Sequence, residues 1–183
     1  AAEDALKRYF RPEGRAADEP YAALPMYRQG ASAERERLTM LASFVEVFLA
    51  KEGHDRPVGI NLLTKIQLPT LASLYGAMLA GVDVVLMGAG IPKEVPAALD
   101  ALALHQPAAM RLEVEGLSPE TPERMRLTPA DHFPVTPAPL TRPVFLPIIA
   151  SNSLATMLSR KASGRVDGFI IEGPTAGGHN APP

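Results

Sequence analysis

Apolar and polar positions along this chain change their period several times, and each change marks an element. Between residues 33 and 52, Leu38, Leu41, Ala42, Val45, Phe48 and Leu49 recur at helical spacing, which predicts a helix with that face turned to a core. Ser32 can cap its start and Gly53 its end. A shorter helix is predicted from Ala5 to Phe10, followed by a polar connector rich in Pro, Gly and Ala. The period then shortens. Residues 58–63, after Pro57, and residues 82–87 (VDVVLM) are apolar runs too short for buried helices and read as buried strands. Between them Pro69 suits a first helical turn. Leu71, Leu74, Tyr75, Met78 and Leu79 supply an apolar stripe, which Gly81 ends.

Further along, a helix from Lys93 to Leu104 carries Val95, Leu99 and Leu102 on one face. Residues 110–115 alternate apolar and charged positions, as a half-solvated strand does. Residues 116–142 are Pro-rich and polar and give no assignment. Residues 144–149 form another predicted strand, interrupted by Pro147, an unusual residue for a central position. Ser151 or Ser153 caps a helix containing Leu154, Met157 and Leu158, and residues 166–171 form the last strand.

Short apolar strands alternating with amphipathic helices predict an α/β fold, a parallel sheet covered by helices. It closes either as an open doubly wound sheet or as a (β/α)₈ barrel. Only part of a barrel is present, because eight strands need about 250 residues and this chain has 183. Either way, chemistry belongs at the C-terminal ends of the strands.

Composition narrows the function classes. A net charge of −2 gives no basic face for nucleic acid or an anionic membrane. With no cysteine, thiolate nucleophiles and disulfides are excluded; a cytoplasmic location is compatible with this and is expected. No apolar run reaches membrane-spanning length. The four histidines have no HExxH spacing, so no metal is expected. Glycine would be needed at residue 93 for a dinucleotide fingerprint, and Lys93 stands there. Ser151 and Ser153 lack a G-x-S-x-G surround and read as caps.

The loop of residues 172–180, EGPTAGGHN, is the most informative stretch. Gly177 and Gly178 let the backbone approach a ligand, and His179 is a sterically open imidazole suited to proton abstraction. The bland reading is a glycine-rich surface turn. Glu172 can orient His179, bind a ligand hydroxyl or pair with an arginine. Asn61, at the end of the first strand, can bind the edge of a heterocycle or hold its own loop. Lys65 can face an anion or be simply solvated. Gly88 and Gly90 make room for a flat ring or form a tight βα turn. Asp83 and Asp167 sit at matching strand starts and read as structural caps. His54, His105 and His132 are weaker candidates.

Three segments, 57–62 (PVGINL), 80–92 (AGVDVVLMGAGIP) and 166–179 (VDGFIIEGPTAGGH), in this order resemble the nitronate monooxygenase family, formerly the 2-nitropropane dioxygenases. The resemblance spans roughly 57–105 and 143–183. It implies an FMN-containing TIM barrel, with His179 as catalytic base. Asn61, Gly88, Gly90, Glu172, Gly177 and Gly178 would be the cofactor-binding residues, and the activity would be oxidation of alkyl nitronates by O₂. On this view residues 1–56 form an N-terminal helical segment or insertion, and 57–183 a partial barrel truncated at both ends. The family's first Gly/Met strand and its downstream phosphate-binding segments have no counterpart, so weak FMN retention is expected. The loop around Pro174-Thr175 resembles a variant subgroup close to the enoyl reductases that work with polyunsaturated fatty acid and polyketide synthases. That makes an NAD(P)H-dependent flavin enoyl reductase the first alternative, and a catalytically silent barrel acting as a binding module the second. Expected partners are a small-molecule substrate, O₂ and, in the alternative, NAD(P)H, with a homodimer as the assembly.

Overall fold

The computed structural model describes residues 2–30, 32–116, 120, 122–133 and 138–182. Parts of the unassigned stretch (117–119, 121 and 134–137), and Pro183 at the end of the family resemblance, lie outside them.

Helices α1 (Ala2–Tyr9) and α2 (Ala33–Ala50) come first, followed by β1 (Gly59–Leu63), α3 (Thr70–Leu79), β2 (Val84–Gly88), α4 (Val95–Ala103), β3 (Ala108–Leu112), β4 (Glu123–Leu127), β5 (Val144–Ile149), α5 (Asn152–Lys161) and β6 (Ile170–Ile171). β1, β2, β5 and β6 form one parallel sheet in that order. The fold is α/β, with helices alternating with parallel strands in an open, partial barrel-like sheet. No helix among the described residues is long and apolar enough to cross a membrane.

One expected strand lies elsewhere. β3 does not join the parallel sheet; it pairs antiparallel with β4, Met110 opposite Met125 and Arg111 opposite Arg124. The reason lies in the Pro-rich stretch. It contains a second alternating run, Met125 and Leu127 among Glu123, Arg124 and Arg126, that supplies β3 with a local partner. β4 had no counterpart among the predicted elements.

The core lies between the sheet and α3, which is buried nearly all round. Tyr75, Phe145, Leu74, Met78, Met87, Leu99 and Leu102 are its largest parts. α2 covers the outer side of α3, but through a different face from the one predicted. Met40 and Val47 are buried, whereas Phe48 and Leu49 are 51% and 54% exposed. Apolar residues occur on both sides of α2, so period alone cannot choose between them. Close approach does choose: Gly76 of α3 sits against the Met40 backbone, and Ser43 Oγ donates to Ser73 O at 2.8 Å. Leu38, Leu41, Ala42 and Val45 of the predicted face line a wide apolar groove with α1 and the loop after β1.

The strand starts are tied by aspartates. Asp83 Oδ2 accepts from Val58 N–H at 2.7 Å and from Lys51 Nζ at 2.6 Å. Asp167 Oδ2 accepts from Phe145 N–H and from Arg142 Nη1, both at 2.9 Å. Each carboxylate therefore joins one strand start to its neighbour, at the end of the sheet remote from the expected chemistry.

Candidate functional site

The sheet has one covered face and one open face. In-register partners of parallel strands share a face. Asn61 is level with Leu86 and Leu86 with Leu146, and Leu63 is level with Gly88. Together with Ile148 and Ile170 these residues form the face away from the helices. Gly59, Asn61, Val144 and Ile170 are exposed on it. The result is an apolar floor with a single amide at its β1 edge.

That amide is Asn61. Its side chain makes no hydrogen bond among the described residues, so nothing in the structure has it holding its own loop. Gly88 lies on the same face, but the space a side chain would take is already filled. A Cβ there would stand 3.1 Å from Ile148 Cδ1 and 3.2 Å from Ile148 Cβ. Gly90 is constrained by Thr64, whose Cβ would lie 2.8 Å from an added Cβ. Thr64 also donates twice to Gly88 O, from N–H and from Oγ1, each at 2.9 Å. Ala89, between the two glycines, has φ +56°. The Gly88-Ala89-Gly90 segment is thus a tight turn wrapped on Thr64.

β6 lies at the opposite edge of the sheet, and the glycine loop follows it. Three strand spacings separate β1 from β6, about 14 Å. Glu172 N–H continues the ladder to Ile149 O at 2.8 Å. The Glu172 carboxylate accepts the backbone N–H of Ala181. Ala181 is buried against Ile149, Leu154 and Leu158. The two ends of the loop are therefore pinned together, and Glu172 serves as its clasp. Among the described residues it pairs with neither His179 nor an arginine. Between the clasped ends, residues 173–180 are all exposed. Ala176 N–H donates to Gly173 O at 3.0 Å, and Gly178 has φ +83°. An added Cβ at Gly173, Gly177 or Gly178 would meet nothing within 4 Å. His179 is exposed and has no hydrogen-bond partner among the described residues.

No family model, curated protein or solved structure matches the chain. The site must therefore be judged on its own residues. Asn61 offers a free donor and acceptor beside an apolar floor, while the glycine loop returns through Ala181 to the helix-covered side of the sheet, beside Ile149. Such a face can take a planar ring with a polar edge. The described residues of this face include no cation to take a phosphate. Among the described residues no group of three His, Asp or Glu side chains could hold a metal ion.

The remaining histidines are structural. His105, with φ +56°, is buried between Tyr75 and the backbone. Its Nε2 lies 2.8 Å from Ala138 O and so carries the proton, which leaves Nδ1 to accept from Tyr75 O–H at 2.7 Å. His132 Nε2 faces Glu36 at 3.1 Å, and burial pushes its imidazole below the ordinary value. His54 Nε2 reaches Ala50 O at 2.7 Å at the end of α2, and Ser151 Oγ caps α5 through Leu154 N–H. Sequence reasoning missed Arg111 and Lys93, which line a separate cavity at the same end of the sheet. The β3–β4 alternation was the signal that could have found Arg111.

Proposed function

We propose that the chain is the partial barrel of an FMN-dependent oxidoreductase that oxidises alkyl nitronates and nitroalkanes with O₂. One observation carries this reading. A partner-free Asn61 amide shares an open apolar face with Gly88, and the Gly177-Gly178-His179 loop leaves the far edge at the same end of the sheet. The order of the three family-like segments supports it independently.

Asn61 would donate to and accept from the ring edge, over the floor of Leu86, Leu146 and Ile148. Gly177 and Gly178 leave room for the loop to come down on a ring, and the Glu172–Ala181 clasp limits how far it can move. Bound FMN supplies electron acceptance and reaction with O₂. His179, unpaired and exposed, takes the α-proton of a neutral nitroalkane onto a ring nitrogen. For an anionic nitronate that proton is already gone. The cytoplasmic location and the homodimer belong to the same proposal.

The test is a titration of FMN with the chain, followed by flavin fluorescence. Saturable quenching that weakens in Asn61→Ala supports the reading, and unquenched flavin overturns it. Anaerobic mixing of the loaded protein with NADH, NADPH or an alkyl nitronate then identifies the reductant. Bleaching by the nitronate alone supports the oxidase chemistry. Bleaching by a nicotinamide alone replaces it with the enoyl-reductase reading.

A further inference from the structure

On the other side of the sheet a second cavity, of about 440 Å³, opens at the same end. It lies between the loops that follow β1 and β2 and the β3–β4 hairpin. Its volume falls within the range of small-ligand sites, about 300–1,000 Å³. Met87, Met110 and Met125 line it, and thioether side chains adapt to varied apolar shapes.

The charges around it are unbalanced. Lys65, Lys93 and Arg111 line the cavity with Glu94 and Glu113. Glu94 is already engaged: its Oε1 pairs with Arg124 Nη1 at 3.4 Å, and its Oε2 accepts Arg111 N–H at 2.5 Å. Arg111 and Arg124 stand directly opposite each other across the hairpin, and like charges so placed repel. Glu94 relieves that repulsion through Arg124 only. The Arg111 guanidinium forms no hydrogen bond or ion pair among the described residues, and its Nε is buried without a partner. Lys65 and Lys93 likewise have no ion pair among the described residues. A buried guanidinium N–H with no acceptor is costly, and a planar fork of donors matches a carboxylate or phosphate.

We propose that this cavity binds a small organic oxyanion: an apolar body against Met110 and Met125, and a phosphoryl or carboxyl group on Arg111, flanked by Lys65 and Lys93. The proposal does not rest on the flavin reading: of the residues expected to bind the cofactor, only Gly90 lines this cavity.

Isothermal titration calorimetry of the 183-residue chain with phenyl phosphate, benzoate and benzyl alcohol tests it. The two anions should bind saturably, the alcohol much more weakly, and added salt should weaken the anions. The tighter anion tells which oxyanion the site prefers. Arg111→Gln, which removes no hydrogen bond or ion pair of the side chain among the described residues, should weaken binding about tenfold. Lys93→Gln should weaken it less, and Arg160→Gln, on α5 away from the cavity, not at all. Thermal melts establish that each variant is folded. Equal binding of anion and alcohol, anion binding unchanged in both Arg111→Gln and Lys93→Gln, or no saturable binding at millimolar concentration would each overturn the proposal.

Discussion

Gly76 and Met40 fix how α2 sits on α3. A Cβ at Gly76 would stand 2.8 Å from Met40 Cα and closer still to its carbonyl oxygen, so α2 and α3 touch backbone to backbone. Neither backbone can yield as a flexible side chain would. Gly76→Ala should therefore destabilise the fold by about 3 kcal/mol, the upper end for overpacking. Gly173→Ala, with nothing near its added Cβ, should change stability by no more than about 0.5 kcal/mol. Urea denaturation of the two variants makes the comparison, and equal midpoints would show that α2 does not depend on this contact.

The same contact explains why one part of the sequence misleads. α2 has apolar residues on both sides, and hydrophobic period favours the side with Val45, Phe48 and Leu49. Packing against a glycine favours the side with Met40, Ser43 and Val47. Which partner offers a notch is long-range information. β1, β2 and β5 were legible because each is a short apolar run between glycines or prolines, and β5 matches its predicted span; of the last strand, expected over 166–171, only Ile170 and Ile171 pair. β4 was not, because its Arg-rich alternation lies inside a Pro-rich stretch. In the candidate site, Asn61 was expected at a strand end but is the middle residue of β1, whereas Gly88 does end β2; their shared face follows only from the register of β1 on β2. The clasp between Glu172 and Ala181 has no sequence signature at all.

Asp83 and Asp167 make stability depend on acid in a defined window. The Lys51 ammonium and then the Val58 N–H hold the Asp83 carboxyl below the usual aspartate range. Burial pushes Asp167 upward, but the Phe145 N–H and Arg142 outweigh it and hold that carboxyl low as well. Both folded-state values lie below the unfolded value of about 3.9, so the unfolded chain binds more protons in this range. Their contribution is complete above about pH 4 and is lost as pH falls through the folded values. Asp167→Asn should be less stable than wild type at neutral pH, and the gap should close below about pH 4. Urea midpoints across that range report it, and parallel curves would contradict the assignment.

Tyr75 and His105 form a buried polar pair whose tautomer is set by Ala138 O. Tyr75→Phe keeps the ring and its packing but leaves His105 Nδ1 without a donor. The cost should be about 1–3 kcal/mol. In a double-mutant cycle with His105→Leu, the coupling should be about 1–2 kcal/mol. Additive losses would mean that the two side chains contribute by volume alone.

His179 separates chemistry from stability more cleanly than any other residue of the site. It is exposed and has no hydrogen-bond partner among the described residues, so His179→Ala should shift stability by at most about 0.5 kcal/mol. As a general base it should be worth about 10²–10⁴-fold in turnover of a neutral nitroalkane. A preformed nitronate has already lost the proton His179 would take, and its turnover should hardly change. The ratio of the two rates is therefore the informative quantity, because poor flavin loading lowers both equally. Gly178→Ala is the companion variant: with φ at +83° a side chain there costs about 1–2 kcal/mol and re-aims the imidazole without removing it. It should lower nitroalkane turnover while leaving nitronate turnover nearly intact. Normal nitroalkane turnover by His179→Ala would remove the base from the mechanism while leaving Asn61 and the apolar floor to be tested on their own.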